Sequence, residues 1–345
     1  MRHAPAPTGA ARWCRLAPLA LALTCSTAGA AAVVPDASTP ERLSRASDAV
    51  VGLRSVAIEQ ASSARTLGPV RQGSGVVIGD DGLVLTIGYL ILEAESVNLQ
   101  LDDGRQLPAR VVAYDVATGL GLVRSLVPLA LPVAPLGDPA EIDDDDTLVV
   151  VSGGDDAGLS PARRVDRRPF SGYWEYHIDG ALFTAPARAD HSGAALFNLR
   201  GELLGVGSLY LNNALGAEGP GVPGNMFVPV DLLKPVLADL LRDGRSAGSK
   251  RAWMGSNCME DDGEVRVLRV SPDGPADRAG LQPGDRILRL DGRPVDSLAS
   301  LWKALWSGGA AEREVRLEVQ REGRRLQLLL RTVDREDTLK QPTAI

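Results

Sequence analysis

Between Ala49 and Val230 the chain is written as short apolar, β-branched runs cut at close intervals by Gly and Asp turns, and that cadence narrows the folds open to it. Gly73-Ser74-Gly75-Val76-Val77-Ile78 opens one run, Gly79-Asp80-Asp81-Gly82 turns it, and Leu83-Val84-Leu85-Thr86 returns. Similar runs follow at 97–101, 111–114, 120–124 and 147–151, and others flank a small-residue turn, Asp190-His191-Ser192-Gly193-Ala194-Ala195. Strand-length runs at this spacing specify an all-β barrel or sandwich. Residues 49–58 read as the first strand and 61–69 as a mobile loop. The 37 Gly and 23 Pro residues supply the many turns such a fold needs.

The pattern changes after Val230. Residues 231–241 have helical periodicity, with Asp231 as N-cap and Pro235 in the first turn. The polar stretch from Asp243 reads as a linker ending at 251. Residues 252–333 then form a compact α/β module. It holds a strand at 264–270, a short helix ending at Gly280, a Pro-Gly turn into another strand, an Asp291-Gly292 hairpin, a helix at 297–307, and closing strands at 314–320 and 325–332. Residues 334–345 read as a flexible tail.

Residues 1–30 have the form of a signal peptide. Arg2, Arg12 and Arg15 precede an apolar run at 16–24, and Ala28-Gly29-Ala30 fits a cleavage site. The run is too short to span a bilayer, so no stable membrane span is expected and the mature chain belongs in a periplasm. Residues 31–48 form a lead-in with a weak helix near Thr39-Pro40-Glu41. The net charge is −7, more acidic still without the leader, and no basic stripe is present. That excludes nucleic acid and anionic membrane surfaces as partners. The basic-aromatic segment 163–176 reads as a loop with a packed Trp174, and the acids at 143–146 as a solvated turn. Loss of Cys14 and Cys25 with the leader leaves Cys258, which alone makes neither a disulfide nor a metal cluster. No metal or cofactor is expected.

Two resemblances organise these pieces. The run from Gly274-Pro275-Ala276 through Gly280-Leu281-Gln282-Pro283-Gly284-Asp285 to Leu290-Asp291-Gly292 resembles a PDZ domain. The resemblance implies a sheet edge that accepts an extended peptide. Backbone N–H groups of the loop at Trp253, Met254, Gly255 and Ser256 would receive its terminal carboxylate, so peptide or protein C-termini are the implied partners. Residues 49–242 resemble the trypsin-like protease domain of the HtrA/DegP family. The matching motifs are Gly73-Ser74-Gly75-Val76, Asp81-Gly82-Leu83-Val84-Leu85-Thr86, Leu136-Gly137-Asp138, Ser192-Gly193 with Leu196-Phe197-Asn198, and Gly201-Glu202-Leu203-Leu204-Gly205. The implied fold is mainly β: a chymotrypsin/trypsin-like double β-barrel, six strands in each barrel, followed by the PDZ domain. The family also implies a homo-oligomer, a trimer, or mixed assembly with active relatives.

The catalytic positions depart from that family. Tyr89 stands where its histidine base falls, in Thr86-Ile87-Gly88-Tyr89-Leu90-Ile91. Gly119 stands where its aspartate falls, in Asp115-Val116-Ala117-Thr118-Gly119-Leu120-Gly121. The nucleophile position keeps Ser192, and Asp190 and Ser192 occupy the oxyanion-hole positions, where a carboxylate at 190 would oppose developing negative charge. A serine hydroxyl needs a base, and a phenol with a pKa of about 10 does not supply one near neutrality. The mature chain offers two imidazoles, His177 and His191, and its lysines (Lys234, Lys250, Lys303, Lys340) all fall in the closing helix, the linker, the PDZ module or the tail. The sequence therefore reads as an exported, catalytically inactive HtrA-like homologue that binds peptides through its PDZ domain in envelope quality control or regulation. The alternative is an active serine endopeptidase using Ser192 with a non-standard base. A third reading, a structural module, would fit a peptide groove closed or filled by the chain itself.

Overall fold

The computed structural model describes residues 38–340, apart from 145, 156, 217 and 218; the expected signal peptide lies outside the described residues. Helix α1 (Thr39–Asp48) leads into β1 (Val50–Ala57), α2 (Ala64–Leu67), β2 (Val70–Val77), β3 (Leu83–Ile87), β4 (Ala94–Gln100), β5 (Gln106–Tyr114) and β6 (Leu120–Ser125). These strands close as a barrel in the order β1-β2-β3-β6-β5-β4. A second barrel follows, from β7 (Thr147–Ser152), β8 (Gly158–Gly172), β9 (Tyr176–Ala185), β10 (Ala195–Phe197), β11 (Leu203–Leu211) and β12 (Gly224–Pro229). Its order is β10-β11-β12-β9-β8-β7. All strand neighbours within the barrels are antiparallel. Closure leaves no free sheet edge, which is how a chain of short strands satisfies its backbone groups. Leu85, Leu99 and Leu122 fill the first barrel and Phe183, Phe197 and Phe227 the second, each contributing about 1.5–3 kcal/mol by burial.

The barrels meet backbone to backbone. The Ser74 N–H of β2 donates to the Ser192 carbonyl at 2.8 Å. Gly193 has φ +74°, and a Cβ there would lie 2.0 Å from the Ser74 carbonyl oxygen, so only glycine allows this approach.

After the barrels come α3 (Leu237–Asp243), β13 (Ala252–Trp253), β14 (Ser256–Asp261), β15 (Glu264–Val270), α4 (Pro275–Arg278), β16 (Arg286–Leu290), β17 (Arg293–Pro294), α5 (Leu298–Trp306), β18 (Glu314–Arg321), β19 (Arg324–Arg331) and β20 (Val333–Asp334). Their sheet runs β14-β15-β16-β18-β19 with β14 at one end. The α5 side chains Leu301, Trp302 and Leu305 are fully buried against it.

Several expectations are corrected. The segment 163–176 is not a loop: it lies in β8 as far as Gly172 and turns into β9 at Tyr176. The helix expected over 231–241 begins only at Leu237. Residues Val230–Leu232 form a 3₁₀ turn instead, since Pro235 lacks a donor and disfavours helical geometry at Lys234. Asp231 pairs with Arg167 at 3.0 Å rather than capping a helix. The loop at 61–69 holds the short α2 and is tied down, with the Ser63 N–H and hydroxyl donating to Glu93 at 2.8 and 2.6 Å. The stretch expected as a polar linker, 243–251, is strapped to the first barrel. The hydroxyls of Ser249 and Ser246 donate to the buried Asp115 carboxylate at 2.5 and 3.4 Å, and its other oxygen takes the Thr118 N–H and hydroxyl at 3.1 and 2.6 Å. The tail, as far as Lys340, is anchored as well. β20 pairs with β13, and the Lys340 N–H donates to Glu93 at 3.0 Å.

The Asp115 contacts give a direct test of this strap. Asp115→Ala leaves buried donors unmatched and is expected to cost about 2–4 kcal/mol of unfolding free energy, against about 1 kcal/mol for Ser249→Ala. Urea titration of both variants checks it, and a wild-type value for Asp115→Ala would remove the strap from the account.

Candidate functional site

Ser192 lies in the turn entering β10, at the contact between the barrels. Tyr89 comes from the 3₁₀ turn Gly88–Leu90 that follows β3, and the Gly88 N–H is held by the Gly119 carbonyl at 2.7 Å. These two segments place the Tyr89 hydroxyl 2.8 Å from Ser192 Oγ and 2.9 Å from the Ser208 carbonyl oxygen of β11, to which it donates its single proton. The polarity of this contact matters. A carbonyl oxygen can only accept, so the phenol proton goes to Ser208 and the Ser192 hydroxyl donates to a neutral phenol oxygen, a far weaker proton acceptor than an imidazole nitrogen. Burial pushes the Tyr89 hydroxyl up to about 12, only partly offset by the Ser192 hydrogen bond. At neutral pH about one molecule in 10⁵ would carry the phenolate.

Gly119 sits at φ +76°, and a Cβ added there would lie 3.1 Å from the Tyr176 ring. That ring comes from β9, and its hydroxyl donates to the Thr118 carbonyl at 2.6 Å. The space beside Gly119, where the resemblance puts an orienting carboxylate, is thus filled by an aromatic ring. The acid that the segment does retain, Asp115, is engaged by Thr118, Ser246 and Ser249.

Asp190 does not project an uncompensated charge. Its carboxylate is paired with Arg188, whose Nε donates at 2.9 Å, and also accepts from the Ser152 hydroxyl. Burial works to raise its pKa, but these partners hold it below the ordinary carboxylate range. The histidines point to other partners. Asp179 can only accept, so His177 Nε2 carries the proton at 3.3 Å from it, and Nδ1 accepts from Ser171 at 2.8 Å. His191 Nδ1 lies 3.2 Å from the Arg188 carbonyl. Burial lowers the pKa of both rings.

At the expected peptide loop, the N–H groups of Met254, Gly255 and Ser256 do converge. They meet the side-chain carboxylate of Glu175, at 3.0, 2.7 and 2.9 Å, so the chain itself fills this loop, the condition that favours the structural-module reading unless the contact can open. Trp253 takes no part in that bond set; its ring lies under the Arg335 guanidinium, 4.8 Å from ring centroid to Cζ. Burial pushes Glu175 up to about 7, against the opposing pull of the three N–H donors and Arg335. Cys258 is buried, with its thiol pushed up to about 12 by burial. Among the described residues no group of three or more His, Cys, Asp or Glu could hold a metal ion, and no helix is long and apolar enough to cross a membrane.

Residues 73–206 match the trypsin-like peptidase domain and residues 252–332 match the PDZ domain. The chain is HtrA/DegP-like. It is 26% identical over 294 residues to a DegP-like periplasmic serine endoprotease of Halomonas elongata, covering 78% of this chain and 57% of that one. It is 28% identical over 307 residues to the serine protease HhoA of Synechocystis sp., covering 79% and 72%. The chain therefore spans little more than half the length of the first relative. The solved serine endoprotease from Yersinia pestis aligns over 87% of this chain and 99% of its own at 25% identity, with a TM-score of 0.52.

Against that family frame, sequence reasoning about this HtrA-like chain missed Glu175, Tyr176 as the filler beside Gly119, Arg188 as the partner of Asp190, and the Asp115 clamp. The one available signal was Glu175 itself, a lone acid set between the aromatics Trp174 and Tyr176.

The Asp190–Arg188 pair carries a pH signature. Native Asp190 holds its proton less tightly than in the unfolded chain. Its stabilisation is therefore full above the unfolded carboxylate pKa of about 4 and fades as pH falls through the lower native value. Asp190→Asn is expected to lose about 1–3 kcal/mol at pH 7, with the gap to wild type closing in acid. Denaturant titrations across pH check it, and a gap independent of pH would assign the loss to shape rather than charge.

Proposed function

We propose that this chain is a proteolytically silent HtrA/DegP homologue, exported by its leader, that works through its PDZ domain by capturing peptide or protein C-termini in envelope quality control or regulation. The observation that carries the silent reading is the buried Tyr89 hydroxyl, a neutral phenol 2.8 Å from Ser192 Oγ where the resemblance puts the base. Loss of the base alone lowers the rate by about 10⁶ in the best-measured serine protease series. The filled space beside Gly119 supports the same reading, because an aspartate there would meet both a positive φ and the Tyr176 ring. Export rests on the leader's charge and apolar pattern and on the periplasmic relatives. Self-association, as a trimer or with active relatives, is part of the same proposal by family likeness.

The test treats the purified mature chain and Ser192→Ala with a fluorophosphonate probe and an unfolded protein substrate. The expected result is no labelling and no cleavage from either folded sample. Labelling of the wild type that disappears in Ser192→Ala would overturn the silent reading in favour of an endopeptidase with an unconventional base.

A further inference from the structure

The tip of the β8–β9 hairpin lies in the PDZ groove in the manner of a bound peptide. β14 ends its sheet, so one row of its backbone groups is open to pairing. The hairpin takes that edge. The Cys258 N–H donates to the Tyr173 carbonyl at 2.7 Å, and Trp174 bridges antiparallel to Asn257. One residue on, Glu175 delivers its carboxylate to the N–H groups of Met254, Gly255 and Ser256. From the helix side, Trp302 Nε1–H donates to the Gly172 carbonyl at 3.1 Å, and Lys303 reaches Asp179 at 3.3 Å. Main-chain pairing along a strand edge, ending in a carboxylate on a row of backbone donors, is how strand-adding peptides are recognised. Here the carboxylate is a side chain and the peptide is part of the same molecule.

We propose that Glu175 is a built-in competitor for this groove. A partner's chain-terminal carboxylate enters between β14 and α5 only when residues 173–175 lift out, so partner capture and hairpin docking exclude each other. The inference rests on the peptide-capture reading and adds its regulation. An internal competitor lowers apparent affinity by the fraction of molecules with the groove open. Removing the Glu175 carboxylate therefore tightens binding without adding any contact to the ligand. The hairpin is suited to such exchange. It is anchored at its base by fifteen- and ten-residue strands, while its tip keeps Tyr173 exposed.

The experiment uses the full mature chain as wild type, Glu175→Ala and Glu175→Gln, each checked for folding by thermal melting. The probe is an array of octapeptides with free C-terminal carboxylates beside the same sequences amidated, and the strongest binders are titrated by fluorescence anisotropy. Hydrogen exchange of residues 254–258 is followed without peptide. We expect Glu175→Ala to bind free-carboxylate peptides at least tenfold more tightly than wild type, to ignore the amidated set, and to exchange faster at 254–256. Glu175→Gln, which keeps the side chain's size, should shift in the same direction and serves if the alanine variant does not fold. Equal affinities in wild type and variants would overturn the competitor and leave peptide capture standing. An array that stays empty for every protein would overturn both.

Discussion

The approach of two backbones, Gly73-Ser74 of one barrel against Ser192-Gly193 of the other, is the constraint on which the site depends. The Ser74 N–H and the Ser192 carbonyl are paired at 2.8 Å, and no Cβ fits at Gly193. This contact fixes the Ser192 turn against the first barrel, and the hydroxyl is presented to whatever the segment after β3 supplies. In this chain that segment supplies a phenol. On the proposed reading, the scaffold that brings Ser192 and its partner together is intact, and the change lies in what the partner can do with a proton. An imidazole accepts one near neutrality, whereas a buried phenol keeps its own.

Two neighbouring residues of the β8–β9 hairpin face opposite tasks. Tyr176 turns toward the barrel and covers Gly119, while Glu175 turns toward the PDZ loop and fills its donors. One hairpin therefore fills the space beside Gly119 and the backbone donors of the 254–256 loop. Around it the molecule is tied together by buried polar straps rather than by a loose linker. Asp115 holds Ser246 and Ser249, and Glu93 holds Ser63 and the Lys340 N–H. Each replaces expected slack with a satisfied buried carboxylate, which is costly to leave unpaired and so enforces a single arrangement.

Much of this was legible in the residues. Runs of strand length between Gly and Asp turns announced an all-β barrel or sandwich, because alternation and turn chemistry are local properties that the order of residues carries directly, and the resemblance chose barrels. The same holds for the Gly-Pro and Pro-Gly punctuation around α4 and β16. The proposed substitutions at 89 and 119 come from the resemblance, since a motif points to a position even where the residue differs. What failed did so for physical reasons. The segment 231–241 has helical apolar spacing, but Pro235 overrides it. The stretches 243–251 and 334–340 have the composition of slack, and their order comes from acids far away in the chain.

The sequence by itself therefore determined the strands, the turns and the order of the domains, and it set Tyr89 and Gly119 where the family resemblance puts a base and its orienting acid. Only the tertiary structure decided what those residues meet. Tyr89 and Ser192 are 103 residues apart, and Glu175 lies 79 residues before Met254. Contacts at such separations exist only after two barrels have closed and packed, and no local pattern encodes which carboxylate will meet which row of donors.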